Sequence, residues 1–98
     1  LGFLFTISNN RIIEDICIDE NDNLYVLWGE NFGDSNCWVD VFNDRSELVN
    51  VLKLAVPSTG EQVRRFYRSP IMDIEVYGQY LYASESYTDG LIYRYKIK

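Results

Sequence analysis

The sequence predicts an all-β fold made of short antiparallel strands. Apolar residues alternate with a period of two along most of the chain, and helical spacing is nearly absent. Asn, Asp and Gly clusters separate these alternating runs, as expected for hairpin turns. The hydrophobic fraction of 47% and the eight tyrosines exclude a disordered chain, and no apolar run approaches the roughly 20 residues of a membrane-spanning helix.

Four strands are expected in the first half of the chain. They cover residues 12–18, 24–28, 37–42 and 48–56. The polar stretches 19–23 and 43–46 between them are short enough to be tight turns, whereas residues 29–36 form a looser loop with two glycines. The predicted strands give the first unit bounds of 12–56.

Three more strands are expected in the second half. Pro57–Gly60 interrupts the strand pattern, and residues 61–70 are polar and basic without a clear period. The strands then resume at 71–77, 80–84 and 91–98, which define a second, incomplete unit of residues 71–98. The segment 1–9 is a further predicted strand that either closes the last unit of a ring or ends a preceding unit.

The two halves repeat the same elements in the same order. The aligned segments are Asp15–Ile18 with Asp73–Val76, Asn23–Val26 with Tyr80–Ala83, and Trp38–Phe42 with Ile92–Lys96. A repeat of this length built from short strands indicates four-stranded β-propeller blades rather than a sandwich. Two blades do not close a ring, which takes about 4–8 blades. The sequence therefore predicts a partial propeller whose remaining blades come from a longer chain or from other copies.

The repeat resembles that of the six-bladed propellers that include the NHL-repeat and TolB-like proteins. Residues 15–26 are similar to the signature of that group, in which a hydrophobic strand ends in Asp and a turn leads to Asn-hydrophobic-Tyr-Val. Residues 39–43 resemble the strand that follows. The second copy departs from the pattern, with Tyr77 where Asp is usual and the shorter turn Gly78-Gln79. The resemblance implies a fold rather than an activity, since such propellers include binding scaffolds, hydrolases and lyases.

Composition excludes several classes of function. The net charge of −6 disfavours nucleic-acid binding, because phosphate contacts need a basic surface. The chain has no histidine, which excludes Ser-His-Asp and Cys-His nucleophile systems and every His-ligated metal site. Cys17 and Cys37 are predicted to be buried thiols rather than a reactive pair. No cofactor is predicted.

One end of the sheets is the candidate binding surface. In up-and-down blades, the first-to-second and third-to-fourth turns lie at one end, and all other connections lie at the opposite end. The longer segments 29–36, 57–70 and 84–90 all fall at this opposite end, here called the long-connection end, and binding residues concentrate on such loops. The candidate ligand-binding residues are Trp28, Glu30, Phe32, Arg64, Arg65, Tyr67, Arg68 and Tyr87. The arginines could grip a carboxylate or phosphate, and the alternative is that all these residues are ordinary solvated loop residues.

Several other residues have two interpretations. Asp15 and Asp73 hold equivalent positions and either cap backbone donors or line a central channel that holds a cation. The pattern Asp19-x-Asn21-x-Asn23 imitates a calcium loop, but it lacks the required Gly at Leu24 and also suits a tight turn. Trp28 and Trp38 are expected to pack between blades, with ligand stacking as the alternative.

The sequence favours a non-catalytic propeller that binds a protein, peptide or glycan at the long-connection end. The main alternative is part of a six-bladed propeller hydrolase or lyase with a metal in the central channel. A third possibility is a structural domain that holds neighbouring modules together. No nucleic-acid partner and no membrane span are expected.

Overall fold

The computed structural model describes residues 13–28, 36–55, 71–85 and 92–98, and all strands in these ranges are antiparallel to their neighbours. The strands are β1 (Ile13–Ile18), β2 (Leu24–Trp28), β3 (Asn36–Phe42), β4 (Leu48–Ala55), β5 (Ile71–Tyr77), β6 (Tyr80–Glu85) and β7 (Ile92–Lys96). The first sheet has the order β1-β2-β3-β4 and the second has the order β5-β6-β7. The predicted all-β antiparallel fold is confirmed, and β7 ends two residues before the expected Lys98. The predicted strand at 1–9 lies outside the described residues.

The two turns of the first sheet are built in the same way. In each, an Asx side chain at the first position, Asp19 or Asn43, accepts hydrogen bonds from the backbone N–H groups two and four residues later, at 2.8–3.0 Å. In each turn, the backbone N–H of the fourth residue, Asp22 or Ser46, also donates a hydrogen bond to the carbonyl of the first residue. Asp22 and Ser46 have positive φ angles of 62° and 64°. Asn and Asp fit these turns because their short side chains mimic a backbone acceptor.

The β5–β6 turn is shorter and depends on a glycine. Tyr77 pairs with Tyr80, which leaves Gly78 and Gln79 as a two-residue loop. Gly78 has a φ of +61°, and a glycine with positive φ at the first central position is typical of a type II′ hairpin turn.

Gly78→Ala is expected to lower the free energy of unfolding by about 1 kcal/mol. A Cβ at this position would contact nothing within 4 Å, so the cost comes from backbone conformation rather than from a clash. Urea denaturation of the variant tests this, with Gln79→Ala as the matched control at the neighbouring position. Equal losses from the two substitutions would contradict the turn assignment.

The sheets pack face to face around one apolar core. The side of the first sheet that faces the second, here called its front face, presents residues from all four strands. The opposing side of the second sheet is called its back face. The core residues are Cys17, Tyr25, Leu27, Cys37, Val39, Val41 and Leu54 from the first sheet, and Ile74, Val76, Leu81 and Ala83 from the second. A smaller apolar cluster of Val26, Trp28, Phe42 and Leu24 lies on the opposite, back face of the first sheet. The alternation read from the sequence is therefore the alternation between these two faces.

The first two strands of each sheet pair in the same register. The β1–β2 ladder shifts register between Ile13 and Asp15, and the β5–β6 ladder shifts at the equivalent place, between Ile71 and Asp73. Beyond that bulge, Ile16 pairs with Val26 as Ile74 pairs with Ala83, matching the first two aligned segments of the sequence repeat.

The third aligned segment of the repeat was wrong by one residue. Leu24 pairs with Phe42, and its equivalent Leu81 pairs with Tyr95, so Phe42 corresponds to Tyr95 and not to Lys96. The sequence alignment matched the charged residues Asp40 and Arg94, but Asp40 is buried whereas Arg94 is exposed. A one-residue slip exchanges the two faces of a strand, and here the similar alternation of Val39-Asp40-Val41 and Tyr93-Arg94-Tyr95 concealed it.

The outer strands of the two sheets also contact each other. The Tyr95 hydroxyl donates a hydrogen bond of 2.8 Å to the carbonyl of Ala55, at the end of β4. Both sheets are open, with β1 and β5 as the first strand of their respective sheets. Across the four described ranges, no helix is long and apolar enough to cross a membrane.

Candidate functional site

The first strands of the two sheets lie side by side and are joined through side chains. The backbone N–H of Ile74 donates a hydrogen bond of 2.7 Å to Oδ2 of Asp15. Two residues further along, the backbone N–H of Val76 donates to the thiol of Cys17. Because β5 is an edge strand, these N–H groups point away from β6, and β1 supplies their acceptors. The expectation that Asp15 caps a backbone donor is confirmed.

A cleft of about 310 Å³ opens beside this junction, and we call it the junction cleft. It is lined by Asp15, Asp73, Ile74, Glu75, Tyr82, Ala83, Ser84 and Ile92. Asp15 and Asp73 follow the bulges near the starts of β1 and β5, while Ser84 and Ile92 lie where β6 ends and β7 begins. The cleft is therefore at the long-connection end, where segments 29–35, 56–70 and 86–91 join the strands.

The polar groups of the junction cleft are mainly hydrogen-bond acceptors. The Ser84 hydroxyl donates a long hydrogen bond of 3.3 Å to Oδ2 of Asp73, and both Asp73 and Glu75 are exposed. Tyr82 contributes a half-buried phenol and Ile92 an exposed apolar side chain. This combination of carboxylates, phenol and apolar surface suits a polar ligand that donates hydrogen bonds and also has an apolar part.

Sequence reasoning singled out Asp15 and Asp73 but missed the other cleft residues. Glu75, Tyr82 and Ser84 share a face with Asp73, because they alternate along β5 and β6 in register with it. Period-two spacing from Asp73 could have identified Glu75, and the register of the two-residue hairpin could have identified the other two.

A different carboxylate, Asp19, accepts hydrogen bonds or an ion pair from four residues. Its donors are Asn21 N at 2.8 Å, Asn23 N at 3.0 Å, Asn23 Nδ2 at 3.1 Å, the Tyr25 hydroxyl at 3.0 Å and Lys98 Nζ at 3.2 Å. Burial by itself would raise the pKa of Asp19, but the hydrogen bonds from Asn23, Asn21 and Tyr25 outweigh it and hold this pKa well below its usual value. Burial and the adjacent Asp19 carboxylate in turn raise the pKa of Tyr25.

This arrangement bears on the calcium-loop interpretation of residues 19–23. A calcium ligand turns its lone pairs toward the ion, whereas both oxygens of Asp19 already accept protein donors. Asn23 directs its amide nitrogen, rather than its oxygen, at Asp19. The pattern Asp19-x-Asn21-x-Asn23 thus forms a hairpin turn. A second cleft of about 360 Å³ lies at this end, lined by Asp19, Glu20, Val76, Tyr77, Gly78 and Lys98.

Trp28 is the one predicted ligand-binding residue that falls within the described ranges. It is 1% exposed, and its indole N–H donates a hydrogen bond of 2.8 Å to Oδ2 of Asp40. Its indole lies in the apolar cluster on the back face of the first sheet. The other predicted residues, Glu30, Phe32, Arg64, Arg65, Tyr67, Arg68 and Tyr87, lie outside the described residues. Trp38 is half-buried, with the ammonium of Lys53 5.7 Å from its ring centroid.

Both cysteines are buried thiols that form no disulfide, as predicted. Burial, followed by the nearby carboxylates of Glu75 and Asp15, raises the pKa of Cys17 to about 12. The thiolate is the reactive form of cysteine, so Cys17 is unsuited to nucleophilic chemistry near neutral pH.

We expect neither thiol to react with Ellman's reagent in the native protein at pH 8. Both side chains lie in the core, and Cys17 stays protonated at this pH. The same assay in guanidinium chloride should release two equivalents of thiolate, which provides the internal control. Stoichiometric labelling of the native protein within minutes would contradict the buried placement.

Comparison of the chain with protein-family models, with curated proteins and with solved structures finds no match. Within residues 13–28, 36–55, 71–85 and 92–98, no group of three or more Cys, Asp or Glu side chains is arranged to hold a metal ion.

Proposed function

We propose that the two sheets are adjacent blades of a β-propeller of the NHL-repeat and TolB-like type, and that the protein is a non-catalytic binding module. Its ligand is a protein, peptide or glycan that binds at the long-connection end. The observation that carries this proposal is the position of the junction cleft, which opens at that end and is lined by residues of both first strands.

The packing of the sheets supports the propeller part of the proposal. In a propeller, the first strands of successive blades lie side by side around the axis, and each blade packs its face on the next. Here β1 lies beside β5, and the front face of the first sheet covers the back face of the second. The shared position of the two bulges agrees with a repeated blade.

The chemistry of the long-connection end supports the binding part. The junction cleft supplies carboxylates and a phenol, and the connection between β4 and β5 carries Arg64, Arg65 and Arg68 in its sequence. Tyrosine and arginine are enriched among the residues that dominate binding energy at interfaces.

Panning a phage-displayed library of random peptides against the immobilised protein, together with a glycan array, tests the binding function. Replacement of Arg64, Arg65 and Arg68 by alanine should weaken the selected ligands tenfold or more, measured by fluorescence anisotropy. Arg45→Ala, in the β3–β4 turn at the opposite end, is the matched control and should change affinity less than twofold. If the selected ligands still bind the triple alanine variant but no longer bind Arg45→Ala, the proposed binding at the long-connection end is refuted.

The alternative is that the blades belong to a propeller hydrolase or lyase with a metal in the channel. The observation that favours it is that the equivalent carboxylates of Asp15 and Asp73 line one cleft. Elemental analysis of the purified protein would then find a stoichiometric metal that is lost in the double variant Asp15→Asn, Asp73→Asn. Metal-free protein that still binds its selected peptide or glycan would exclude this alternative.

A further inference from the structure

The second cleft lies between the two sheets at the end opposite the long-connection end, and we call it the turn cleft. Its volume of about 360 Å³ is within the range of small-molecule binding sites. The β1–β2 turn forms one side of it, and the end of β5 with the β5–β6 turn forms the other. The described residues that line it are Asp19, Glu20, Val76, Tyr77, Gly78 and Lys98.

Lys98 supplies hydrogen-bond donors to the turn cleft. Its ammonium lies 3.2 Å from Oδ2 of Asp19, and the side chain of Lys98 is 31% exposed whereas that of Asp19 is 2% exposed. An ammonium has three N–H donors, and the contact with Asp19 uses one of them. The Asp19 oxygens already accept hydrogen bonds from Asn21, Asn23 and Tyr25. Asp19 therefore acts on a ligand only by holding the Lys98 ammonium at the cleft.

Glu20 and Tyr77 supply two other kinds of contact. Glu20 is exposed in the β1–β2 turn, and its ionised carboxylate accepts hydrogen bonds but donates none. Tyr77 is 79% exposed, the highest value among the exposed large hydrophobic side chains of residues 13–28, 36–55, 71–85 and 92–98. Burial of such an aromatic ring beneath a ligand is favourable. The turn cleft thus combines an acceptor, a donor and an aromatic surface.

The charges of the turn cleft favour an uncharged ligand. The carboxylates of Asp19 and Glu20 repel an anion, and the Lys98 ammonium repels a cation. A ligand with neighbouring hydroxyl groups avoids both kinds of repulsion, because a hydroxyl can accept a hydrogen bond from Lys98 and donate one to Glu20. A sugar ring has such hydroxyls and also an apolar C–H face that can cover an aromatic ring.

We propose that the turn cleft is a second binding site, separate from that of the long-connection end, and that it binds a neutral sugar ring. Neighbouring hydroxyls of the sugar bridge the Lys98 ammonium and the Glu20 carboxylate, and the C–H face of the ring packs on Tyr77. Asp19 is a positioning residue that holds Lys98. The described residues of the two clefts are different, so sugar binding at the turn cleft does not require a ligand at the long-connection end.

Amide NMR spectra of the isotope-labelled protein, recorded during titration with glucose, galactose and mannose, test the site. We expect at least one of these sugars to cause saturable shifts of the amides of Glu20, Tyr77 and Gly78. The amides of Asp73 and Ser84, in the junction cleft, should stay unchanged. An absence of saturable shifts with all three sugars would overturn the proposal, and so would shifts confined to the junction cleft.

Variants of the lining residues test the assigned contacts with the sugar that binds most tightly. Tyr77→Ala and Glu20→Gln should each weaken binding by about tenfold. Both side chains are exposed, so the thermal unfolding of these variants should resemble that of the wild type. Tyr77→Phe, which keeps the ring, and Asp44→Asn, an exposed acid in the β3–β4 turn at the same end, are the matched controls and should bind like the wild type. Equal losses in the variants and their controls would contradict the assignment.

Charged analogues of the same sugar test the preference for an uncharged ligand. The amino sugar adds an ammonium and the uronic acid adds a carboxylate, so each should bind more weakly than the neutral parent. Tighter binding of either analogue would overturn the proposal in favour of a site for that charge. The triple alanine variant of Arg64, Arg65 and Arg68 should bind the neutral sugar like the wild type, and a loss of binding there would place the sugar at the long-connection end instead.

Discussion

Asp19→Ala is expected to lower the free energy of unfolding by about 2–4 kcal/mol. The substitution removes the acceptor of four hydrogen bonds and one ion pair, and it leaves the Asn23 amide, the Tyr25 hydroxyl and the Lys98 ammonium without this partner. Hydrogen bonds to a charged group contribute about 1.5–3 kcal/mol each, and they are not additive when they share an acceptor. Urea denaturation monitored by tryptophan fluorescence measures the change.

Asn43→Ala provides a matched comparison for Asp19→Ala. Asn43 has the same position in the β3–β4 turn and accepts the same pair of backbone N–H groups, but it is neutral and its other partner, Glu47, is exposed. We expect a loss of about 1 kcal/mol, as for a neutral hydrogen-bonding turn residue. Equal losses at the two positions would show that Asp19 acts only as a turn residue and not through Tyr25 and Lys98.

The contribution of Asp19 should depend on pH in a defined direction. Its folded-state pKa lies below the ordinary value of 3.8, so the unfolded chain takes up the proton first as the pH falls. The stabilisation is therefore complete above that ordinary value and decreases as the pH falls below it. Because asparagine resembles the protonated side chain, the stability difference between wild type and Asp19→Asn should be smaller at pH 3 than at pH 7. A difference that stays constant between these values would contradict the lowered pKa.

Asp15→Ala is expected to lower the free energy of unfolding by about 1.5–3 kcal/mol. The Asp15 carboxylate is the acceptor for the Ile74 N–H across the two sheets, at 2.7 Å, and its removal leaves an edge-strand donor without a partner. Amide hydrogen exchange of Ile74 should accelerate more than that of Leu81, which lies on the adjacent strand β6.

Asp73→Ala is the control for Asp15→Ala, because it removes the equivalent residue of the other sheet. Asp73 is exposed and bonded to Ser84 at 3.3 Å, so its replacement should change the stability of the monomer by less than about 0.5 kcal/mol. If Asp15→Ala and Asp73→Ala lower the free energy of unfolding by the same amount, the Asp15–Ile74 hydrogen bond does not stabilise the packing of the two sheets in solution.

The strands and their turns were predictable because each is encoded locally. A run of β-prone apolar and aromatic residues defined β2, and alternation of apolar and polar residues defined β5, both with the bounds that the structure has. Gly78-Gln79 identified a two-residue hairpin. The face of the third strand was not predictable in the same way. Val39-Asp40-Val41 and Tyr93-Arg94-Tyr95 have the same alternation, and only the pairing of each strand with its neighbour shows which residues face the core.

The candidate site was less accessible from sequence because its contacts join distant parts of the chain. The spacing of Asp19, Asn21 and Asn23 suits both a cation loop and a turn, and it does not show that both oxygens of Asp19 already accept protein donors. One further partner of Asp19, Lys98, is distant in the sequence. Nothing in the sequence around Cys17 indicates that its thiol accepts a hydrogen bond from the backbone N–H of Val76. Repeat equivalence did identify Asp15 and Asp73 together, since their position in the repeat is a local pattern.

Three of the contacts that join the second sheet to the first in the described residues are well separated: Asp15 with Ile74, Asp19 with Lys98, and Tyr95 with Ala55. Two of these lie at opposite ends of β1, and the third lies at the outer strands. Rotation or sliding of one sheet over the other would have to break all three together while also exposing the shared core. Neither sheet can therefore detach as an independent foldon, and the pair should melt in one cooperative transition.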